Sequence, residues 1–284
     1  MGVETLLFAD AGPREGAQAA LFGVPYDGTA SFRPGARLGP QAIRQASYNF
    51  ETYHLDLGVD LEGARFTDLG NLEEFGSSEA MGKGVTRYVE DLASEGLFPL
   101  AMGGEHSLTP PCVRALGPAA FVVLDAHMDF RDAYLGDPNS HACVTRRVTD
   151  HLGGDRAVVL GLRSASKEEK EAADRLGLRY VPASQIREKG IEVALAVLEE
   201  LPERVYLSLD MDAIDPAYAP AVGNPEPFGL APLEVKRVIE VLGERMVAFD
   251  LTEVSPPWDH GETAALAARL VREVLAQLRL AERI

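Results

Sequence analysis

The sequence has few cysteines, no long apolar run and a shortage of positive charge. Its two cysteines, Cys112 and Cys143, cannot form a disulfide framework. Neither has a ligand-spaced cysteine or histidine beside it, so we expect buried structural thiols. No apolar run approaches the ~18 residues that a membrane helix needs, and residues 1–16 lack the basic start and apolar stretch of a signal peptide. These absences predict a cytoplasmic protein that does not insert into membranes.

Negative charge dominates the composition. The chain has 44 Asp and Glu residues against 27 Lys and Arg residues, which gives a net charge of −17. A field of this sign repels nucleic acids and anionic membranes, and it attracts metal ions and cationic substrates. The same charge would also serve solubility alone, so it argues against nucleic-acid binding without identifying a ligand.

Short, continuous apolar runs alternate with amphipathic segments along the chain, without an internal repeat or a long linker. Continuous apolar runs are typical of strands covered on both faces, and strand–helix alternation predicts a parallel sheet with helices on both sides. We therefore expect one α/β domain over residues 1–284. The predicted strands are 20–24, 98–102, 121–124, 157–160, 179–181, 205–209 and 246–251. The predicted helices are 78–94, 108–116, 167–176, 191–201, 232–242 and 263–280.

Acidic residues and histidines cluster where three of the predicted strands end. The three runs are Gly103-Gly104-Glu105-His106-Ser107, Asp125-Ala126-His127-Met128-Asp129 and Asp210-Met211-Asp212. If the chain stays extended, alternate side chains share one side. The three polar side chains of the second run would then lie together, as would the two aspartates of the third. The paired glycines of the first run allow a tight turn that delivers His106 to the same edge.

Such a cluster of acids needs neutralising. Carboxylates crowded within ~4–6 Å raise one another's pKa values, and a pair of divalent cations removes that cost. Carboxylates can bridge two metals, and mixed oxygen and nitrogen ligands favour manganese over metals that prefer thiolates. Each run alone is also compatible with a single-metal site, a solvated loop or an ordinary turn. Together they predict a dinuclear centre with the ligands His106, Asp125, His127, Asp129, Asp210 and Asp212.

The other histidines have a weaker context. His54 and His151 lack a partner motif and are expected to be structural or surface residues. His260 is expected at the surface, although its loop could line a pocket. His141 lies twelve residues after Asp129, in the loop that follows the same strand. This location is compatible with a general acid or base, and equally with a residue that has no catalytic role.

In combination, these motifs resemble those of the ureohydrolase (arginase/agmatinase) family over nearly the whole chain. The resemblance extends to residues 208–216 and 253–256, with softer matches at 23–27 and 33–37. One departure is Glu105, at a position where such enzymes more often have Asp and also use Glu. The resemblance implies a three-layer α/β/α fold with a mostly parallel sheet, two Mn²⁺ ions per chain and a homo-oligomer, either a trimer or a hexamer.

The resemblance also implies roles for individual residues. One ion would be bound by His106, Asp125, Asp129 and Asp210. The other would be bound by His127, Asp125, Asp210 and Asp212, so that Asp125 and Asp210 bridge. Glu253 would pair with a planar guanidinium group. Asp129 would hydrogen-bond the nucleophile, and His141 would carry a proton to the leaving amine.

Three positions distinguish members of the family. Arginases read the α-carboxylate and α-amino groups of arginine with Asn, Ser and Asp residues, and these positions hold Arg131, Asp137 and Ser166 here. These differences argue against an arginase. Residues 129–134, followed by 140–143, resemble the corresponding segments of agmatinases. We therefore expect agmatine or its aminopropyl derivative as substrate, with urea and a polyamine as products. Arg131 and Asp137 are candidate substrate-binding residues, although Arg131 would equally fit an internal salt bridge with a nearby Asp.

Other functions stay open from the sequence. A sibling amidinohydrolase would act on guanidinobutyrate or formiminoglutamate, and Arg131 would suit a substrate that carries a carboxylate. A dinuclear phosphoesterase would need a basic phosphate-binding patch, which the sequence lacks, and the net charge of −17 disfavours it. A non-catalytic homologue usually loses some ligands, whereas here the set is complete and Glu253 is retained.

Overall fold

A parallel sheet of eight strands runs through the computed structural model, which describes residues 6–284. The strands are β1 (Ala19–Val24), β2 (Tyr53–His54), β3 (Val59–Asp60), β4 (Phe66–Asn71), β5 (Phe98–Gly103), β6 (Ala120–Leu124), β7 (Ala157–Leu162), β8 (Arg179–Pro182), β9 (Val205–Asp210) and β10 (Met246–Thr252). The helices are α1 (Gly39–Ser47), α2 (Ser78–Ser94), α3 (Thr109–Leu116), α4 (Val144–Leu152), α5 (Lys167–Leu176), α6 (Ala183–Lys189), α7 (Glu192–Glu199), α8 (Pro232–Leu242) and α9 (Glu262–Leu280).

The strands of the large sheet follow the order β4–β1–β5–β10–β9–β6–β7–β8. All neighbouring pairs in this order are parallel. Strands β2 and β3 form a separate antiparallel pair. Parallel neighbours need crossover connections, which the helices supply.

Helices cover both faces of the sheet. On β6, Val122 belongs to one hydrophobic cluster, whereas its neighbours Phe121 and Val123 belong to another, because alternate side chains of a strand point to opposite faces. The first cluster includes side chains of α1, α6, α7, α8 and α9, and the second includes side chains of α2, α3, α4 and α5. The predicted three-layer α/β/α class is therefore confirmed.

Each predicted strand and helix coincides with an element of the structure, with ends that differ by a few residues. Strand β4 was not predicted, because this edge strand carries Thr67 and Asp68 among its apolar residues. Helices α1, α4 and α6 were not predicted either. Cys112 and Cys143 are free and buried, as expected. Within residues 6–284, no helix combines the length and the apolar character that crossing a membrane requires.

The centre of the sheet is where the polar runs meet. The chain passes from β5 through α3 to β6, which lies three places away with β10 and β9 between them. In open parallel sheets, ligands bind beyond the carboxyl ends of the strands at such a change of direction. The three polar runs follow β5, β6 and β9, and Glu253 follows β10. The fold therefore brings all of them to one edge.

Candidate metal centre and active-site cavity

The turn after β5 delivers His106 to this edge. A side chain on Gly104 would overlap the carbonyl group of Tyr26, and one on Gly103 would press against Leu108. Close backbone approach therefore requires both glycines, as their pairing predicted. A 3-10 turn begins at His106, which is only 1% exposed.

The residues after β6 and β9 also converge, although the chain does not stay extended throughout. Strand β6 ends at Leu124, and Asp129 has a left-handed φ of 47° that breaks the alternation. After β9, Met211–Ala213 form a 3-10 turn in which the Asp210 carboxylate accepts a hydrogen bond from the Asp212 amide at 2.8 Å. The extended chain predicted after β9 is therefore wrong, whereas after β6 a parallel bridge joins His127 to Ser164 and the alternation ends only at Asp129. Local turns aim the carboxylates instead.

The predicted ligands form two groups that share one carboxylate. In the first group, Nδ1 of His106 lies 3.3 Å from Oδ2 of Asp125 and 3.2 Å from Oδ2 of Asp210. Oδ2 of Asp129 lies 3.5 Å from the same nitrogen. Ligand atoms roughly 3 Å apart are what metal–ligand distances of ~2.1 Å produce at right angles. The four side chains could therefore surround one cation.

The second group joins His127 to Asp212 and Asp125. Nδ1 of His127 lies 2.9 Å from Oδ2 of Asp212 and 3.7 Å from Oδ1 of Asp125. Asp125 therefore turns one carboxylate oxygen to each group, as a bridging ligand would. In each of two triads, the ligand atoms lie within 4.8 Å of one another; the triads are His106–Asp125–Asp210 and Asp125–His127–Asp212.

Two buried atoms of the first group lack a hydrogen-bond partner within residues 6–284. These atoms are Nδ1 of His106 and Oδ2 of Asp125, which face each other. Leaving a buried polar atom unsatisfied costs about 1–3 kcal/mol, and more for a charged group. A cation that both atoms coordinate would remove this cost. The donor set of carboxylate oxygens and imidazole nitrogens, without sulfur, fits a divalent cation of the harder type.

Burial and like charge oppose ionisation of the clustered acids. Burial, reinforced by Asp125, raises the pKa of Asp129 to about 7. Burial, followed by Asp212 and Asp125, also raises the pKa of Asp210 well above its usual value. For His127, burial would lower the pKa, but Asp212 and Asp125 raise it to about 12. A divalent cation among these carboxylates would relieve their mutual repulsion.

A hydroxyl group fixes the other nitrogen of His106. Nε2 lies 3.0 Å from Oγ of Ser208, and Ser208 donates its own proton to Asp250 at 2.6 Å. Asp250 is buried and also accepts hydrogen bonds from Tyr206 and Thr109. Because the Ser208 proton is committed, Ser208 must accept the Nε2–H of His106, which leaves Nδ1 as the nitrogen that would coordinate a cation held among the acids. The sequence analysis did not identify this support for His106. The signal that could have revealed it is Asp250, an acidic residue inside an apolar strand.

Glu253 follows β10 in a left-handed backbone conformation, with a φ of 66°. This conformation is uncommon for a residue with a side chain and persists where the surroundings enforce it. The Glu253 amide donates to the carbonyl of Gly104 at 2.8 Å, and Oε1 accepts a hydrogen bond from the His106 amide at 2.9 Å. Burial, followed by the charge of Glu105, raises the pKa of Glu253 to about 8. The carboxylate is thus held next to the first group of ligands.

A cavity of about 170 Å³ opens onto the ligand cluster. Five of the residues that line it are acidic, and they are Asp129, Glu169, Asp210, Asp212 and Glu253. Arg131 is the only Lys or Arg residue among those that the structure places in this wall. A small cavity with this excess of carboxylates suits a cationic ligand.

His141 lies in the wall of the same cavity and is 8% exposed. Its Nδ1 lies 3.0 Å from Oγ1 of Thr29, and its Nε2 lies 3.3 Å from Oγ of Ser31. Burial lowers the pKa of His141 to about 4, so the imidazole is neutral near pH 7. The structure therefore brings His141 together with the predicted ligands and Glu253. No sequence motif pointed to Thr29 or Ser31.

The two predicted substrate-binding residues differ in position. Arg131 lines the cavity with a 42% exposed side chain, and its guanidinium group lies 3.5 Å from Oε2 of Glu169 and 5.3 Å from the ring centre of Tyr134. This is the internal salt bridge considered above, with Glu in place of Asp. Asp137 does not line the cavity. Its carboxylate accepts hydrogen bonds from Oγ of Ser78 at 2.6 Å and from an amide two residues on, so nothing in its position supports contact with a substrate.

The remaining histidines lie where they were expected. His54 is buried, and its Nε2 lies 2.9 Å from both carboxylate oxygens of Glu273, which is a structural contact. His151 and His260 are exposed. None of the three lines the cavity that opens onto the ligand cluster.

The parallel α/β sheet carries, at its carboxyl edge, histidines and aspartates that could hold metal ions, and comparison with known proteins makes the class specific. Residues 17–276 match the family described as the Arginase family. The chain is 38% identical over 259 residues to an agmatinase of Pyrococcus horikoshii, with 90% of each protein covered. It is 39% identical over 262 residues to an N(1)-aminopropylagmatine ureohydrolase of Thermococcus kodakarensis, with 90% of this chain and 89% of that protein covered.

A solved structure shows the same similarity over almost the whole length. The agmatine ureohydrolase of Thermoplasma volcanium superposes with a TM-score of 0.95 and 41% sequence identity, covering 99% of this chain and 97% of that one. The chain belongs to the arginase family. The resemblance that its motifs predicted is therefore confirmed.

Proposed function

We propose that the chain hydrolyses the guanidinium group of agmatine, or of an amine-ended derivative such as aminopropylagmatine, to urea and a polyamine. The observation that carries this proposal is the acidic cavity in which His141 and Glu253 face the cluster of predicted metal ligands. The names of the similar proteins, an agmatinase, an aminopropylagmatine ureohydrolase and an agmatine ureohydrolase, support the same substrate class.

Two Mn²⁺ ions are the proposed cofactors. The residues that would hold them are His106, Asp125, His127, Asp129, Asp210 and Asp212. Asp125 has an oxygen in each group, and Asp210 would bridge with it by family analogy. When bound, the two cations supply Lewis acidity, which makes water a stronger nucleophile near neutral pH. The mixed oxygen and nitrogen donors favour Mn²⁺ over metals that prefer thiolates.

Three side chains would handle the substrate and its protons. Glu253 would bind the guanidinium group, since Oε1 already accepts the His106 amide and Oε2 is left for the substrate. Asp129 would accept a hydrogen bond from the attacking water. The water oxygen bonds to the guanidinium carbon, and the bond from that carbon to the alkyl-bearing nitrogen then breaks. His141 would take up a proton that the attacking water releases and deliver it to the leaving amine.

The wall of the cavity favours a substrate without an α-carboxylate. Bound cations would offset the charges of Asp129, Asp210 and Asp212, which leaves Glu253 and Glu169 in the wall to repel such a group. Ser166, at the position where arginases read the α-amino group, accepts the Glu169 amide at 3.2 Å and caps α5. The positive charge of Arg131 is offset by Glu169 at 3.5 Å, so an amine-ended tail is tolerated beside it.

A second candidate is an amidinohydrolase that acts on a carboxylate-bearing substrate such as guanidinobutyrate or formiminoglutamate. The observation that favours it is the guanidinium group of Arg131, which is partly exposed in the cavity wall and could pair with a carboxylate. The excess of acidic groups in the same wall weighs against it.

A parallel assay of guanidino compounds tests the choice. The Mn²⁺-loaded protein would be given agmatine, aminopropylagmatine, guanidinobutyrate and arginine, and kcat/KM for urea release would be compared. The proposal predicts that one of the two amine-ended compounds is preferred over the other substrates by more than about 1.4 kcal/mol, which is tenfold. A preference for guanidinobutyrate would establish the second candidate instead.

A further inference from the structure

Glu105 is a buried acidic residue that the proposed reaction does not use. The residue is 1% exposed, and its carboxylate accepts three hydrogen bonds. Oε2 accepts the amide of Thr29 at 2.7 Å, and Oε1 accepts the hydroxyl groups of Thr29 at 2.7 Å and Ser107 at 2.6 Å. A buried carboxylate is costly unless it is hydrogen-bonded, so these donors fix where the group can lie.

The hydroxyl group of Thr29 connects Glu105 to His141. Its oxygen lies 3.0 Å from Nδ1 of His141 and accepts the backbone amide of His141 at 3.1 Å. A threonine hydroxyl has one proton to donate and two lone pairs that accept. Because the proton is donated to Glu105, both contacts with His141 must be accepted by Thr29. The ring proton of His141 therefore sits on Nδ1.

A second hydroxyl near Nδ1 does not change this assignment. Oγ of Ser140 lies 3.4 Å from Nδ1 and accepts the amide of Ala142 at 3.4 Å. Thr29 is the nearer partner; its hydroxyl donates to Oε1 of Glu105, and its backbone amide donates to Oε2 of the same carboxylate. The lone pair of the ring is then on Nε2, which lies 3.3 Å from the Ser31 hydroxyl in the cavity wall. The same hydroxyl lies 3.4 Å from Oδ1 of Asn224, and with the ring proton on Nδ1 it donates to the nearer acceptor, Nε2.

We propose that Glu105 and Thr29 are positioning residues that hold His141 in the tautomer with a proton on Nδ1, leaving Nε2 free to exchange a proton with the substrate. The inference rests on the proposed function, since it assigns the proton transfer to one nitrogen of His141. With its lone pair on Nε2, the ring can take up a proton on the cavity side and pass it to the leaving amine, whereas the opposite tautomer would place the lone pair on Nδ1, away from the substrate. Glu105 and His106 are consecutive residues in the turn after β5. Glu105 contacts His141 through Thr29, and His106 enters the ligand cluster, so this turn fixes the position of His141 relative to the predicted ligands.

The hydrogen-bonded chain from Glu105 through the Thr29 hydroxyl to His141 is called the relay below. Two substitutions at Thr29 distinguish its effect from that of simple packing. Thr29→Val keeps the shape of the side chain and removes the hydroxyl, whereas Thr29→Ser keeps the hydroxyl. We expect Thr29→Val to lower kcat on agmatine by about 10- to 100-fold, with KM and metal content little changed. Thr29→Ser should restore kcat to near the wild-type value. Thr86→Val is the matched control, since the Thr86 hydroxyl donates to the carbonyl of Pro111 outside the cavity.

An unchanged kcat in Thr29→Val would overturn the relay. An equal loss of kcat in Thr29→Ser and Thr29→Val would also overturn it, because the hydroxyl would then not be what matters.

The tautomer can also be read without catalysis. Protein labelled with ¹⁵N-histidine and loaded with diamagnetic Mg²⁺ would be examined by solid-state NMR, with His141→Asn identifying one signal among six histidines. A protonated Nδ1 and a bare Nε2 at His141, with a mixture of tautomers in Thr29→Val, would support the relay. A bare Nδ1 in the wild-type protein would overturn it, whether or not the protein hydrolyses agmatine. A protein that has the expected tautomer but releases no urea would refute the proposed function and leave the relay standing.

Discussion

Nε2 of His106 lies 3.0 Å from the hydroxyl oxygen of Ser208, while Nδ1 of the same ring faces the acidic cluster. The Ser208 proton goes to Asp250, so the hydroxyl acts as an acceptor and turns the His106 lone pair toward the proposed metal. Ser208→Ala should therefore lower metal affinity about 10- to 100-fold while the fold is retained. Competition with a fluorescent chelator measures this change. Ser94→Ala, at an exposed helix end, is the control, and equal affinity in both variants would contradict the role of Ser208.

Asp125 should matter more for metal content than any residue that touches only one group. Its two oxygens face separate histidines, so Asp125→Asn weakens both groups at once. We expect fewer than one metal ion per chain in Asp125→Asn after dialysis, against two in the wild-type protein, by elemental analysis. Asp132→Asn, whose side chain is 79% exposed, should keep both ions. Two retained ions in Asp125→Asn would show that Asp125 is not a bridging ligand.

His141 should affect turnover and not metal binding. Its ring lies in the cavity wall, and its nitrogens contact Thr29 and Ser31 rather than the predicted ligands. His141→Asn is expected to lower kcat on agmatine by about 10²- to 10⁴-fold, the usual range for loss of a general acid or base. Metal content should stay at the wild-type value. If kcat is unchanged, another group must protonate the leaving amine.

The stability of the metal-stripped protein should fall as the pH rises. Burial is the first cause that raises the pKa of Asp129 to about 7 and that of Glu253 to about 8. A raised pKa means that the folded state binds the proton more tightly than the unfolded chain, whose carboxyl groups titrate near ~4. Their stabilising contribution is therefore complete below pH ~4 and is lost as the pH rises through about 7 and 8. Asp125 has a lowered pKa and acts in the opposite direction, but only in acid.

Thermal melting between about pH 6 and pH 8.5 measures this effect. The melting temperature of the stripped protein should fall over that interval, and the Mn²⁺-loaded protein should change less, because the cations offset the carboxylate charges. Asp129→Asn should flatten the curve of the stripped protein. A stripped wild-type protein with the same melting temperature at both ends would refute the predicted cost of ionisation.

The fold was largely predictable because the central strands are continuous apolar runs. Runs such as β6 and β9 are buried on both faces, and this leaves a clear pattern in the sequence. Strand β4 at the sheet edge carries polar residues. One of them, Asp68, forms a buried ion pair with Arg44, with Nε of Arg44 2.7 Å from Oδ2 of Asp68. Its pattern depends on a partner 24 residues away, so it could not be read from the local sequence.

The candidate site was predictable in its residues and less so in its geometry. Acids and histidines directly after apolar runs identified the proposed ligands, since parallel strands end at one edge. The turns at Asp129 and Met211–Ala213 replace the expected extended chain. Thr29 carries no local signal, because it contacts His141 across 112 residues of sequence. The expected contact of Asp137 with substrate rested on its position in the chain, whereas its carboxylate is held by Ser78 on α2.

Urea and amine release from agmatine by the Mn²⁺-loaded protein tests metal-dependent cleavage of the guanidinium group most directly. Both products would be quantified by mass spectrometry in H₂¹⁸O, before and after removal of the metal and again after Mn²⁺ is restored. We predict equal amounts of putrescine and urea, with the ¹⁸O in the urea, loss of both on metal removal and recovery on adding Mn²⁺, while arginine stays inert. Protein that holds two metal ions per chain and releases no urea from agmatine, aminopropylagmatine or any other guanidino compound would contradict the proposed function.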